Sequence, residues 1–374
     1  MKATYTPPHI QLARAAVCLL AALPILLAGC IENDDDSPII VVSDGKGTEA
    51  GPKSREEIIR IAKEYNELVW YTSAPEKAAK EFLAAFKQEY PFIVPRLERS
   101  NTFDTISRIG DEITNENVKA DVVHVLDVGA FIKLELEGEL RMYRSPEGSS
   151  IREGFRSPGF WWAMRLVAIG MAYNSEVLTP EQAPRTWTDL LDPRYQGRLG
   201  FKDAATGGSA YAQYYLLRER LGTLFWERMA EQRVGIHRSE QELKEGLIDE
   251  GIDVAGQMVG YKILDAKNKG EPIVGVWPEE GVPLIPGPIA ILARAPHPEA
   301  SMLFIDFALS KKGQERFQDL LGAYSSRADV EPLPGQPPLE SLQLLTPTTG
   351  WDDYLENQRE LRAEFEDLFR GGGE

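Results

Sequence analysis

The chain has 374 residues, and its 58 acidic against 41 basic side chains give a net charge of −17 at neutral pH. So acidic a surface argues against nucleic acid or an anionic bilayer as the binding partner. The length is well above the ~250 residues at which a single hydrophobic core stops growing, so two lobes are favoured over one.

The first 29 residues are predicted to be a secretory signal peptide. Lys2 and Arg14 make a basic start, and an apolar run over residues 15–28 follows. The run is too short for a membrane span, which needs ~20 residues. The segment Leu27-Ala28-Gly29-Cys30 is typical of a bacterial lipobox, although an ordinary signal with an incidental cysteine is the alternative. We expect a periplasmic or cell-surface protein held to a bacterial membrane by lipid on Cys30.

Residues 30–54 are predicted to be a lipidated, flexible tether. Their low hydrophobicity and mixed charge are typical of a spacer between a lipid and a globular domain. A short apolar patch at residues 39–42 could alternatively form a strand. Because Cys18 would leave with the signal peptide, no disulfide can form within the mature chain.

From residue 55 onward, predicted helices alternate with short apolar strands. The helices fall near residues 56–64, 78–90 and 103–113, and the strands near residues 68–71, 93–97 and 121–126. Such alternation is typical of a mainly parallel sheet with helices on both faces.

Two long apolar segments, near residues 166–173 and 282–292, are predicted to be extended strands. Between them, a second alternating series has strands near residues 198–201, 234–236 and 254–258 and helices near residues 187–191, 210–221 and 241–248. Helices at residues 298–309 and 312–321 follow. The apolar spacing over residues 351–369 predicts an amphipathic helix that packs on the globule or, alternatively, binds a partner.

This order predicts an α/β protein of two lobes joined by two hinge strands, each lobe a mainly parallel sheet flanked by helices. The first lobe comprises residues 55–168 plus 283–330, the second comprises residues 169–282, and residues 331–374 form a C-terminal helical segment. Ligands of open α/β sheets bind beyond the carboxyl ends of the strands. We expect those ends to face one cleft, which closes on a solute by hinge motion.

Three predicted helix starts, each following a strand, carry residues suited to an anionic or polar ligand. Free backbone N–H groups and the helix dipole favour negative charge there, although ordinary helix caps are the alternative explanation. At the first start, Ser73 and Glu76 have the spacing of a capping box. The candidate ligand-binding residues at these starts are Ser73, Ala74, Arg99, Asn101, Thr102, Thr206, Gly207, Gly208 and Ser209.

Four further candidates lie at or near strand ends. Asp127, Gln257 and Tyr261 fall where predicted strands should open into the cleft. For Asp127, capping of the helix predicted at residues 128–137 is the favoured alternative. Trp161 is predicted either to line the cleft or to pack beneath the hinge.

Catalytic motifs are missing from the sequence. His9, His124, His237 and His297 are scattered, and no HExxH, CxxC or GxSxG motif and no phosphate-binding loop with its lysine occurs. We therefore predict a binding protein that has no enzymatic activity, cofactor or bound metal.

Several segments resemble the bacterial extracellular solute-binding proteins of the ferric-iron, phosphonate and sugar-phosphate branch. The resemblance covers roughly residues 66–330, and residues 186–198 (TWTDLLDPRYQGR) are its most specific part. The other matching segments are residues 70–73, 119–123, 171–174, 283–293 and 303–314.

The resemblance implies the fold of a two-lobed type II periplasmic binding protein. It implies a monomer that captures a small solute and delivers it to an ABC permease in the inner membrane. Ferric-binding members carry two adjacent tyrosines after the strand that matches residues 254–258, whereas this chain has Tyr261 alone. A small organic anion is therefore favoured: a phosphonate, a sugar phosphate or a carboxylate. Ferric-iron binding through Tyr261 is the alternative, followed by an enzyme or sensor on the same fold.

Overall fold

The computed structural model describes residues 40–43, 49–206, 208–249 and 251–370, without the side chains of residues 40–43 and 49–52. The predicted signal peptide, the lipidation site Cys30 and the candidate Gly207 lie outside the described residues. Residues Ile39–Glu374 form one compact unit. No helix in the described ranges is long and apolar enough to span a membrane.

The second half of the predicted tether forms a hairpin. Strand β1 (Ile40–Ser43) pairs antiparallel with β2 (Glu49–Lys53). The β-branched run Ile40-Val41-Val42 favours extended backbone, and β1 corresponds to the strand given above as the alternative for residues 39–42. Lys53 Nζ lies 2.5 Å from Glu299 Oε1 and attaches the hairpin to the globule.

The first half of the fold has the predicted alternation of strands and helices. Its central strand β3 is parallel to both of its neighbours, β4 and β5. The strands are β3 (Glu67–Thr72), β4 (Val94–Arg99) and β5 (Val122–His124), and the helices are α1 (Arg55–Glu64), α2 (Glu76–Glu89), α3 (Thr102–Thr114) and α4 (Val128–Leu136).

Two long strands cross the middle of the fold. Strand β7 (Trp161–Asn174) and strand β12 (Val282–Ile291) run antiparallel, with Gly287 opposite Arg165. Residues 161–165 are therefore part of the same strand as residues 166–173. Strand β12 also pairs with β5 on the first half, and the short strand β6 (Arg156–Ser157) pairs with β7.

The second half is built on the other side of β7. Strand β8 (Leu199–Lys202) is parallel to β9 (Gly235–His237) and β10 (Val254–Val259), and β10 and β11 (Ile273–Val276) run antiparallel to β7. The helices are α5 (Gly208–Leu221), α6 (Thr223–Glu231), α7 (Glu240–Asp249) and α8 (Gly260–Lys269). Helices α6 and α8 are absent from the sequence prediction, and a short 3-10 turn at Thr188–Leu191 replaces the helix predicted there.

All these strands except β1 and β2 belong to one mixed sheet of 11 strands. The outer strands pair in parallel as predicted, and the two crossing strands introduce the antiparallel pairs. Helices α9 (Pro298–Leu309) and α10 (Lys311–Leu321) return to the first half. The α/β class is confirmed, whereas the exact lobe boundaries remain a prediction.

The C-terminal segment is helical, but it is not the single helix predicted. After the short strand β13 (Leu344–Leu345) come helix α11 (Trp351–Glu356), which Asn357 caps, and helix α12 (Gln358–Arg370). Tyr354 and Phe365 are buried on the globule, which confirms the packing predicted for this segment.

Candidate functional site

A cavity of about 800 Å³ lies between the two halves, where β3, β4 and β8 end. We call it the central cavity. Its walls include the helix starts that the sequence singles out. The predicted residues that line it are Ser73, Arg99, Asn101, Thr102, Thr206, Gly208, Ser209 and Tyr261.

The first half contributes the start of α3. Asn101 caps this helix, because its Oδ1 accepts a hydrogen bond of 2.8 Å from the backbone N–H of Asp104. Thr102 begins the helix and faces the central cavity with Asn101. Arg99 Nε donates to the carbonyl oxygen of Ala74 at 3.3 Å, so the end of β4 is attached to the loop after β3.

Ser73 has a different role from the predicted one. Helix α2 starts after Pro75 without a side-chain cap, and Glu76 bonds Lys80 on its own helix, so the capping-box prediction is wrong. The turn is made instead by Thr72 Oγ1, which accepts from the N–H of Ala74 at 3.1 Å. The buried Ser73 hydroxyl has no hydrogen-bond partner among the described residues. It lies in a wall of the central cavity, where it can bind a ligand.

The second half contributes the start of α5. Gly208 has φ +62°, and a β-carbon there would lie 3.6 Å from the carbonyl oxygen of Leu126 and 3.9 Å from Thr102 Oγ1. Both distances are ordinary van der Waals contacts, so the left-handed backbone, rather than a lack of space, favours glycine at this position. Thr206 Oγ1 donates to the carbonyl of Asp203 at 2.7 Å and stabilises the turn before the helix.

Arg165, which sequence reasoning missed as a site residue, lines the central cavity from β7. Its side chain is only 2% exposed, and its Nε and Nη1 have no hydrogen-bond partner among the described residues. Burial lowers the pKa of Arg165, and the nearby Tyr261 and Glu240 oppose that shift. A guanidinium nevertheless stays charged at neutral pH. A buried cation without a partner is costly, so this position is suited to an incoming anion.

The lining of the central cavity is strongly basic, in contrast to the acidic chain as a whole. Six cationic side chains and one carboxylate, that of Glu240, take part in it. Sequence reasoning found only Arg99 among the cations, because the others come from elements distant in the chain. The five missed cations are Arg165, Lys202, Arg238, Lys262 and Arg362.

Four predicted site residues do not line the central cavity. The Asp127 side chain caps α4 by accepting from Ala130 N–H at 3.3 Å, and Trp161 Nε1 donates to Oε2 of the half-buried Glu135 at 3.0 Å. Gln257 is 1% exposed within β10, and the Ala74 side chain is fully buried. Each side chain points into protein because its strand or loop turns it away from the space between the halves.

The site offers little to a hard metal ion. Within the described residues, no three His, Cys, Asp or Glu side chains are grouped so that they could hold a metal. Without a metal the phenol of Tyr261 is protonated at neutral pH, and burial raises its pKa further above the ordinary value. In this state the side chain can donate a hydrogen bond to a ligand in the central cavity.

A family model described as "bacterial extracellular solute-binding protein" matches residues 117–357, more than half of the chain. The chain belongs to this family. A putative 2-aminoethylphosphonate-binding periplasmic protein of Salmonella typhimurium is 28% identical over 202 residues, which are 50% of this chain and 58% of that protein. The family resemblance drawn from the sequence is confirmed, and with it the role of a solute-binding protein.

Solved structures share the fold. The periplasmic binding protein AfuA from Actinobacillus pleuropneumoniae, with fructose-6-phosphate bound, has a TM-score of 0.72 at 24% identity, over 81% of this chain and 98% of that one. Iron-bound HitA from Pseudomonas aeruginosa has a TM-score of 0.70 at 20% identity, over 80% and 99% of the two chains. At these identities the likeness establishes the fold alone.

Proposed function

We propose that this protein binds a small organic anion in the central cavity and delivers it to an ABC importer. The observation that carries the proposal is Arg165, a buried guanidinium with two unpartnered nitrogens in the cavity wall. A phosphonate, phosphate ester or carboxylate supplies the acceptor oxygens that such a donor needs. The other five cations add to the attraction, because charges of one sign in a cleft focus the field there.

The apolar lining and the volume of the central cavity favour an organic anion over an inorganic one. Phe103 and Leu126 bring apolar surface to the central cavity. A cavity of about 800 Å³ is also within the usual range for organic ligands. The relative named for 2-aminoethylphosphonate and the fold neighbour with fructose-6-phosphate bound both favour a phosphorus-containing anion.

Ferric iron is the weaker candidate. Its main support is the fold likeness to iron-bound HitA. Six cations and a protonated phenol around the central cavity oppose a trivalent cation, which needs anionic oxygen ligands. Appearance of a tyrosine-to-iron charge-transfer band on adding Fe(III) would favour that alternative.

Calorimetric titration of the purified protein tests the proposal. We expect 2-aminoethylphosphonate, fructose 6-phosphate or a dicarboxylate to bind the wild-type protein, with an affinity that falls as salt is raised. Substitution Arg165→Met should weaken binding by roughly a hundredfold or more, as loss of a buried charge-assisted bond does. A wild-type protein that binds none of these anions would contradict the proposed function.

We further propose export, anchoring by lipid on Cys30, and a monomer that closes between two lobes. The apolar run before Cys30 and the periplasmic relatives support export, and the two crossing strands support a hinge. Mass spectrometry of the mature N-terminus should find an acylated cysteine that Cys30→Ser abolishes. Small-angle scattering should give a monomer whose radius of gyration falls when the anion binds; an unchanged radius argues against closure.

A further inference from the structure

Helix α12 lies just outside the part of the chain that the family model matches, which ends at residue 357. Even so, this helix places Arg362 in the wall of the central cavity. Arg362 is partly buried, and its guanidinium donates to the carbonyl oxygen of Ala205, in the turn before α5. Among the described residues no carboxylate oxygen lies within ion-pairing distance of Arg362, although its charge opposes the burial that raises the pKa of Asp127. The guanidinium can therefore also meet an anion in the central cavity.

Helix α12 is fixed firmly on the second half. Phe365 packs edge-on against Tyr214, with ring centroids 5.2 Å apart. Glu364 accepts from Tyr214 OH at 2.5 Å and pairs with Arg218 at 2.9 Å. Apolar and ionic contacts hold α12 against α5. The position of Arg362 is therefore fixed by the tertiary structure.

The preceding helix α11 reaches the first half. Tyr354 is 1% exposed, and a β-carbon at Gly129 of α4 would lie only 3.1 Å from its ring. On its other side, Tyr354 packs against Tyr211 of α5 at a centroid distance of 4.8 Å, and Tyr211 OH donates to the Tyr354 carbonyl. The C-terminal helices thus contact both walls of the central cavity.

We propose that Arg362 is a ligand of the anion, supplied to the cavity by a C-terminal helix outside the region that the family model matches. This inference rests on the proposed function and deepens it. Arg165 approaches the anion from β7 and Arg362 from α12, so the two cations come from separate elements. Two such donors favour a doubly charged group over a singly charged one. The C-terminal helix therefore helps to determine which anions the protein selects.

Calorimetric titration of the full mature protein with fructose 6-phosphate, 2-aminoethylphosphonate and inorganic phosphate tests this role. The variants are Arg362→Gln, Arg362→Lys and, as a matched control, Arg359→Gln, which removes an exposed arginine from the same helix. Each titration is made at pH 7.5 and at pH 5, because the second ionisation of a phosphate ester lies near pH ~6. The melting temperature of each ligand-free variant reports any loss of folding.

We expect Arg362→Gln to weaken binding by about ten- to hundredfold at pH 7.5, with a smaller loss at pH 5. The affinity of Arg362→Lys should lie between those of Arg362→Gln and the wild type, and the affinity of Arg359→Gln should match the wild type. The ligand role of Arg362 is overturned if Arg362→Gln binds the anions as tightly as Arg359→Gln does. It is also overturned if Arg362→Gln loses the same factor in affinity at both pH values. The proposed function then stands if Arg165→Met still weakens binding by roughly a hundredfold or more. A wild-type protein that binds no probe overturns both.

Discussion

Arg165 lies directly opposite Gly287 in the antiparallel pair of β7 and β12, and its side chain passes over the glycine. A β-carbon at Gly287 would lie 3.0 Å from Arg165 Cγ and 3.1 Å from its Nε. A glycine on one long strand therefore makes room for the buried cation of the other.

Replacing Gly287 by alanine should displace Arg165 without removing its charge. We expect Gly287→Ala to weaken anion binding at least tenfold and to cost about 1–3 kcal/mol of stability, as overpacking does. Titration calorimetry and urea unfolding measure the two effects. Gly110→Ala is the control, because a β-carbon at Gly110 of α3 meets nothing within 4 Å. Wild-type affinity in Gly287→Ala would show that the position of Arg165 is not critical.

Replacing Arg165 by methionine should move affinity and stability in opposite directions. The substitution weakens anion binding, yet it also removes a buried charge whose Nε and Nη1 lack a hydrogen-bond partner among the described residues. We expect the free energy of unfolding of the ligand-free protein to rise by about 1 kcal/mol or more. Urea unfolding in the absence of any added anion measures this. A destabilised Arg165→Met protein would mean that the guanidinium is structural.

A substitution of Trp161 tests whether a predicted site residue that does not line the central cavity affects anion binding. Its indole packs in the hydrophobic core, and Nε1 donates to the half-buried Glu135. Trp161→Phe should leave anion affinity unchanged and cost about 1 kcal/mol for the lost hydrogen bond. Calorimetric titration and urea unfolding of this variant measure the two effects. If Trp161 lined the central cavity, the variant would lose anion affinity as well as stability.

The stability of the protein should depend on pH through His124. This side chain is fully buried, its Nδ1 lies 2.9 Å from Thr72 Oγ1, and burial together with Arg165 lowers the pKa of His124 well below 6.5. The unfolded chain binds a proton near pH ~6.5, whereas the folded protein does not. The stabilisation that comes from neutral His124 is therefore complete above pH ~6.5. As the pH falls below that value, the free energy of unfolding decreases by up to ~1.4 kcal/mol per pH unit.

Urea unfolding at pH 7.5, 6.5 and 5.5 measures this slope. We expect His124→Gln to flatten it relative to the wild type. His237→Gln should have a smaller effect, because His237 is less buried, although burial lowers the pKa of His237 too. Identical slopes in the wild type and His124→Gln would contradict the assignment.

Much of the fold could be predicted from local signals. Apolar runs and helical periodicity gave the order of strands and helices on both sides of the two crossing strands, since those patterns follow from burying one face of each element. Helix α8 was missed because Gly260-Tyr261-Lys262 carries no capping signature, and the C-terminal break at Asn357 was missed because the apolar spacing continues across it.

By itself, the sequence determined the α/β class, the family, the acidic surface and the helix starts that border the central cavity. Each of these depends on short-range pattern or composition. Only the tertiary structure decided the charge of the site, because Arg165, Lys202, Arg238, Lys262 and Arg362 are far apart in the chain and meet only when the sheet and the C-terminal helix assemble. It also decided that Arg165 is buried, which depends on a glycine more than a hundred residues away in the facing strand.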